Sequence, residues 1–116
     1  MKSFGQTLNL RDDSEIIEKY KAYHRAVWPE VVESLKRIGI TKMKIFLHGR
    51  RMFMYIETGD DFDVARDFPR YMDSPRAKEW DELMCTFQER VPGAKPGEWW
   101  SAMEEVYDLD WPTASR

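Results

Sequence analysis

The sequence predicts an α+β fold, an antiparallel β-sheet carrying its helices on one face, and three features of the chain predict it. Two runs of alternating residues, Met43 to His48 and Met52 to Thr58, flank the turn Gly49-Arg50-Arg51, which is the pattern of an antiparallel hairpin. Apolar residues at helical spacing run from Ile16 to Ile38 and are interrupted once, at Trp28-Pro29. A second helical stripe, Trp80, Leu83, Met84, Phe87 and Val91, precedes a Pro/Gly loop and a closing alternation.

Taken in order, residues 2 to 10 alternate loosely and read as a first strand. The polar cluster Arg11 to Ser14 ends it, and Asp13 or Ser14 can cap the helix that follows. On that helix Ile16, Ile17, Tyr20, His24 and Val27 share a stripe. Pro29 deletes a helical hydrogen bond and clashes one turn back, yet suits the first position of a new helix, so the helix is predicted to split there. Val31, Val32, Leu35 and Ile38 carry the second half until Gly39 stops it. The hairpin has apolar groups on both faces: Met43, Ile45 and Leu47 against Phe46, and Met52, Met54 and Ile56 against Phe53 and Tyr55. Residues 60 to 72 form a weaker helix broken by Pro69. Asp73-Ser74-Pro75 then caps a helix predicted to reach about Arg90. After the loop Pro92 to Gly97, residues Trp99 to Leu109 alternate as a last strand, and Trp111 to Arg116 read as a tail that is loose or docked on a neighbour. The order β, split α, β, β, α, β is the ferredoxin-like split βαβ arrangement. Such a sheet leaves its second face bare, and the apolar residues there predict a dimer.

At 116 residues the chain is expected to be a single domain, residues 1–116. Hydrophobic residues make up 42% and charged residues 34%, ordinary for a soluble globular protein, whereas five tryptophans point to an apolar pocket or an interface. Net charge is −3 with basic residues scattered among acids, so no footprint for nucleic acid is expected. Without an apolar run long enough to span a membrane, and with an N-terminus unlike a signal peptide, the expectation is no membrane and a cytoplasmic protein. Cys85 is the lone cysteine and reads as a small buried hydrophobe on its helix. His24 and His48 are far apart without an acid at ligand spacing, so no metal site is expected. His48 reads as an exposed turn residue, and Glu18, Glu30 and Glu33 as solvated helix charges, with Glu30 favouring its helix N-terminus.

The chemistry concentrates in Tyr20 to Glu30. Tyr20 and His24, four residues apart on a helix, present a phenol and an imidazole to the same space, and His24 sits at a helix end where a side chain reaches a pocket. An imidazole holds both protonation states near neutral pH, which makes His24 the candidate for proton transfer. Trp80 is either the centre of its helix stripe or a stacking platform for a ligand, and Trp28 reads as a core anchor. Trp99 and Trp100, adjacent in a strand, face opposite sides, so one of them can reach the pocket.

The run Tyr20-x-x-x-His24-x-x-x-Trp28-Pro29-Glu30 resembles the signature of the L-rhamnose mutarotase family. Further matches are Phe53 to Glu57, Trp80 with Met84, and the closing Met103 to Leu109, so that the resemblance covers about residues 4 to 109. It implies a dimeric α+β barrel that works without a cofactor, with His24 in the position of the proton donor and Tyr20 in that of a sugar contact. Two positions depart from the family pattern. Asp81 follows Trp80 where the rhamnose enzymes have a second tryptophan, and Met43 stands at the start of strand two where they have a tyrosine. Asp81 is thereby expected to receive sugar hydroxyls, and the sugar to be a 6-deoxy-L-sugar such as L-rhamnose or L-fucose. Two other readings use the same fold: a cofactor-free monooxygenase or haem-pocket protein, and a non-catalytic sugar-binding dimer in which His24 is structural.

Overall fold

A computed structural model describes residues 1–114. Its elements are β1 (Lys2–Leu10), α1 (Ser14–His24), α2 (Pro29–Arg37), β2 (Ile40–His48), β3 (Arg51–Thr58), α3 (Val64–Asp67), a 3-10 segment (Phe68–Asp73), α4 (Pro75–Cys85), β4 (Gln88–Glu89) and β5 (Ser101–Met103). The sheet runs β2, β3, β1, β4, and every pairing is antiparallel. Because β3 occupies one edge of β1, β4 and β5 share the other, β4 against Asn9 and Leu10 and β5 against Gly5 to Thr7. This is the α+β architecture that the order of elements predicts.

One face of the sheet makes the core. Leu8 and Leu10 of β1 and Met52, Met54 and Ile56 of β3 are buried, and Tyr20, Val31, Ala77, Trp80 and Met84 from α1, α2 and α4 close over them. Asp13 caps α1, its carboxylate accepting from the backbone N–H of Glu15 at 2.8 Å and of Ile16 at 3.3 Å. Pro29 starts α2 behind Trp28, as expected, and Gly39, at φ 109°, turns the chain out of α2 in a conformation that side chains resist.

Several boundaries differ from the sequence prediction. Strand β2 begins three residues early, at Ile40, because a register irregularity at Thr41 shifts the alternation by one: Ile40 and Met43, an odd number apart, lie on the same face. The hairpin loop is two residues, Gly49-Arg50, with Gly49 at φ 61° and Arg51 already paired to His48. Residues 60 to 72 give only a short α3 and a 3-10 segment. Asp67, 5% exposed, anchors them by accepting from Arg66 at 2.8 Å, from Arg70 at 3.5 Å and from the N–H of Asp63 at 2.9 Å. The Arg66 guanidinium holds its carboxyl well below the usual carboxylate range. Helix α4 stops at Cys85, short of Arg90. The stripe keeps helical spacing through Val91, but the free edge of β1 takes up Gln88 and Glu89 instead, and the N–H of Arg11 donates to the carbonyl of Phe87 at 2.9 Å. Glu30 is half-buried rather than solvated, and its Oε2 has no hydrogen-bond partner among the described residues.

The last strand is the largest difference. Only Ser101 to Met103 pair, and residues 104 to 109, expected to continue the strand, run on without a neighbour in the sheet. Val106, Tyr107 and Leu109 are 78%, 67% and 82% exposed. The radius of gyration is 15.5 Å, against about 13 Å for a compact domain of this length. The open face of the sheet is also apolar, with Phe46 and Phe53 stacked at 6.1 Å and 55% and 36% exposed. Residues 111 to 114 are exposed, and the end of the expected tail, Ser115 and Arg116, lies outside the described residues.

Removing the α1 cap isolates a local contribution. Asp13→Ala is expected to lower stability by about 1 kcal/mol, read as a shift in urea midpoint with an unchanged slope.

Candidate active site

The space between α1, α2, α4 and the covered face of the sheet is a cavity of about 110 Å³, room for several water-sized groups. Tyr20, His24, Met43, Trp80, Asp81 and Trp100 all line it. Tyr20, His24, Met43, Trp80 and Asp81, the five site residues expected from the sequence, thus meet in one place. Of the tryptophan pair, Trp100 reaches the cavity; the two residues lie in a bend before β5 rather than within a strand.

His24 ends α1, and its ring turns back along the helix. Nδ1 lies 2.9 Å from the carbonyl oxygen of Tyr20, one turn earlier. A carbonyl can only accept, so Nδ1 carries the proton and Nε2 is the nitrogen left to gain or lose one. The imidazole stacks on the Tyr20 ring at 4.3 Å and meets Trp80 edge-on at 5.3 Å. Burial lowers its pKa below the ordinary value, against the opposing pull of the Tyr20 carbonyl. Near neutral pH the resting ring is therefore uncharged, with the Nε2 lone pair available. His24 is half-buried, and it also borders an outer cleft between α2 and the edge strand β2, where Lys36, Thr41 and Lys42 stand. The ring is not sealed in the core.

Tyr20 is buried, and burial pushes its phenol up to about 12, so it keeps its proton. Trp80, 5% exposed, sits in an aromatic cluster, edge-on to Tyr23 at 6.1 Å and to Trp28 at 5.2 Å. Arg76 in turn covers Trp28 at 3.9 Å. Trp28 is thus the anchor expected of it, and Trp80 is at once core and cavity wall. Its indole face cannot tilt without displacing three rings.

Asp81, half-buried, holds a second polar corner. Its Oδ1 accepts from the hydroxyl of Tyr71 in a short hydrogen bond, and its Oδ2 from the thiol of Cys85 at 3.9 Å. Burial and the neighbouring Asp81 carboxylate raise the pKa of both donors, the Cys85 thiol to about 11. Both stay protonated, and Asp81, which lines the cavity, keeps acceptor lone pairs to spare. Cys85 is thus half-buried beside a carboxylate rather than packed as a simple hydrophobe. Opposite, Gln88 links Tyr20 to Trp99: its Nε2 donates to the Tyr20 hydroxyl at 3.3 Å and its Oε1 accepts from Trp99 Nε1 at 2.7 Å.

Sequence reasoning missed Tyr71, Gln88 and the role of Cys85. Tyr71 belongs to a segment with no clear period, and Gln88 falls within the span where the sequence predicts a helix. Only Cys85, four residues after Asp81 on α4, carried a readable signal, since i, i+4 residues share a helix face. His48 is exposed, as expected. Among the described residues no group of three or more His, Cys, Asp or Glu side chains is arranged to hold a metal ion, and no helix is long and apolar enough to cross a membrane.

The chain is similar to several known proteins. The profile of the L-rhamnose mutarotase family matches residues 3–109. A UPF0734 protein of Dictyostelium discoideum is 54% identical over 95% of this chain and 91% of its own. An L-fucose mutarotase of Xanthomonas campestris pv. campestris is 39% identical over 94% of this chain and 89% of its own. Among solved structures, an L-rhamnose mutarotase from Formosa agariphila superposes with a TM-score of 0.68 at 19% identity, covering 95% of this chain and all (100%) of that one. The tetracenomycin F2 cyclase of Streptomyces glaucescens, at TM-score 0.63 and 17% identity over 97% of this chain and 100% of its own, shares the α+β barrel fold. With residues 3–109, nearly its whole length, matched, the chain belongs to the L-rhamnose mutarotase family.

Proposed function

We propose that this protein is a cytoplasmic sugar mutarotase that interconverts the α and β anomers of a 6-deoxy-L-sugar, L-fucose or L-rhamnose. The observation that carries the reading is the convergence of one proton acceptor, His24 Nε2, and one proton donor, the Tyr20 hydroxyl, on a mostly apolar cavity. A deoxy-sugar is itself two-sided, with a methyl and C–H faces beside its hydroxyls. The apolar lining, Met43 and Trp80 included, suits the former, and Asp81 suits the latter. The 39% identity to a protein named L-fucose mutarotase supports L-fucose as the first sugar to test.

Anomer exchange needs the pyranose ring to open and close. The O1 proton leaves, C1=O1 forms, the C1–O5 bond breaks, and O5 gains a proton. O1 and O5 are bonded to the same carbon, so one imidazole nitrogen can serve both. Uncharged His24 takes the O1 proton on Nε2 and returns it to O5, while Tyr20 donates a hydrogen bond to the ring oxygen as negative charge builds there. The free aldehyde rotates about C1–C2, and closure runs the same steps backwards. His24 is thereby both the base and the proton donor. No cofactor enters this scheme.

The same reading takes residues 1–116 as one mutarotase domain and the working form as a homodimer. The stacked Phe46 and Phe53 and the exposed Val106, Tyr107 and Leu109 are apolar surface that a second copy would cover.

Three outcomes follow. Saturation-transfer NMR on L-fucose and L-rhamnose should show exchange well above the buffer rate for the wild type, and a loss of about a hundredfold or more in His24→Ala; equal exchange by the two proteins would remove the assignment. Because the uncharged ring is the active form, the rate should be full above the His24 pKa and fall as pH drops through it. The acid limb should then have its midpoint below 6.5, and a midpoint above that value would contradict a buried, uncharged His24. Sedimentation equilibrium should give twice the 13.9 kDa chain mass, shifting to the single mass in a Phe46→Asp, Phe53→Asp double variant; a monomeric wild type at micromolar concentration would refute the dimer.

A further inference from the structure

We infer that Gln88 and Trp99 are positioning residues that aim the Tyr20 hydroxyl proton into the cavity, making Tyr20 an obligate hydrogen-bond donor to whatever binds there. The inference rests on the proposed function for its catalytic consequence, but its structural content stands separately.

The directions follow from which groups can donate. Indole Nε1–H has no lone pair in the ring plane and can only donate, so the Gln88 atom 2.7 Å away is its carbonyl oxygen. That assignment removes the usual ambiguity of a carboxamide and leaves Nε2, which can only donate, 3.3 Å from the Tyr20 oxygen. Tyr20 must accept from Gln88, so its own proton is turned elsewhere. Among the described residues that proton has no acceptor, and Tyr20 and Gln88 both line the cavity.

The far end of this relay is held firmly. Glu98, next to Trp99, accepts from the N–H of Lys95 at 3.0 Å, from Ser101 Oγ at 3.0 Å and from the N–H of Ala102 at 3.1 Å. Arg90 Nε donates to the Glu98 carbonyl at 2.9 Å. Gln88, 4% exposed, is fixed through its backbone by pairing with Leu10. The relay therefore joins the loop before β5 to α1 across the top of α4. A ligand placed against Tyr20 is required to offer an acceptor, which the ether-like ring oxygen of a pyranose does without having a proton to offer in return.

A Gln88→Glu carboxylate would accept from both Trp99 and Tyr20 and draw the Tyr20 proton out of the cavity; Gln88→Met keeps the volume and removes the bond. Both variants are to be made in wild-type and Tyr20→Phe backgrounds, with anomer exchange on L-fucose as one readout. The second readout is the tyrosine Raman doublet, which distinguishes a donating from an accepting phenol, taken as the difference from Tyr20→Phe. The expected result is a loss of about tenfold for Gln88→Glu and a smaller one for Gln88→Met, neither adding to the loss in Tyr20→Phe, with the doublet moving from accepting to donating in Gln88→Glu alone. Equal losses in both backgrounds, or a doublet that does not move in Gln88→Glu, would overturn the inference. Should the wild type exchange no sugar at all, the enzymatic reading fails while the Raman result still decides the direction of the Tyr20 proton.

Discussion

The bond from His24 Nδ1–H to the carbonyl of Tyr20 is the constraint on which the site depends. It is made within a single turn of α1, so the same helix that supplies the ring also sets its tautomer. With Nδ1 committed, only Nε2 is left free to exchange a proton, and the stacked Tyr20 ring prevents the imidazole from swinging away. Pro29 then makes this possible from below. By opening a new helix after the Trp28 joint, it leaves His24 at an end rather than mid-helix, where the ring can look past the backbone into the cavity.

Around that bond the protein arranges polar groups whose roles do not overlap. The phenol of Tyr20 is kept protonated by burial, the imidazole is kept uncharged by burial, and Asp81 is supplied with two donors so that a carboxylate can stand in an apolar wall. The aromatic cluster of Tyr23, Trp28 and Trp80 does the opposite work, lending rigidity without polarity. The cavity is thus two-sided, with an imidazole, a phenol and a carboxylate set among packed aromatic and apolar side chains. The shared fold with a polyketide cyclase shows that the barrel does not choose between chemistries; the side chains on its covered face do.

The opposite face of the sheet presents a different problem. Phe46, Phe53 and the segment after Met103 leave apolar surface in water, and the closing alternation of the chain finds no neighbour beyond Met103. Pairing on the β1 edge is shared between β4 and β5, and neither is long. Residues 104 to 109 alternate like a strand, yet among the described residues they pair with none, and Val106, Tyr107 and Leu109 stand in water.

The sequence by itself determined the order of elements, the split at Pro29, a cap at Asp13 or Ser14 and the meeting of Tyr20 with His24, because each of these is settled by contacts within a turn or two of the backbone. Periodicity and capping are local, and a local signal survives in the order of residues. Tertiary structure alone decided where α4 ends, that Ile40 joins β2, that Trp100 rather than Trp99 lines the cavity, and that Tyr71, Cys85 and Gln88 complete the polar corners. In these cases the deciding partner lies far along the chain: the free edge of β1 competes for Gln88, the irregularity at Thr41 hides the parity of β2, and the hydroxyl of Tyr71 is useful only because Asp81 folds against it. A side chain whose meaning is conferred by a distant neighbour carries no mark of it in its own surroundings, which is why the Tyr20–His24 pair could be read from the sequence and the residues packed around it could not.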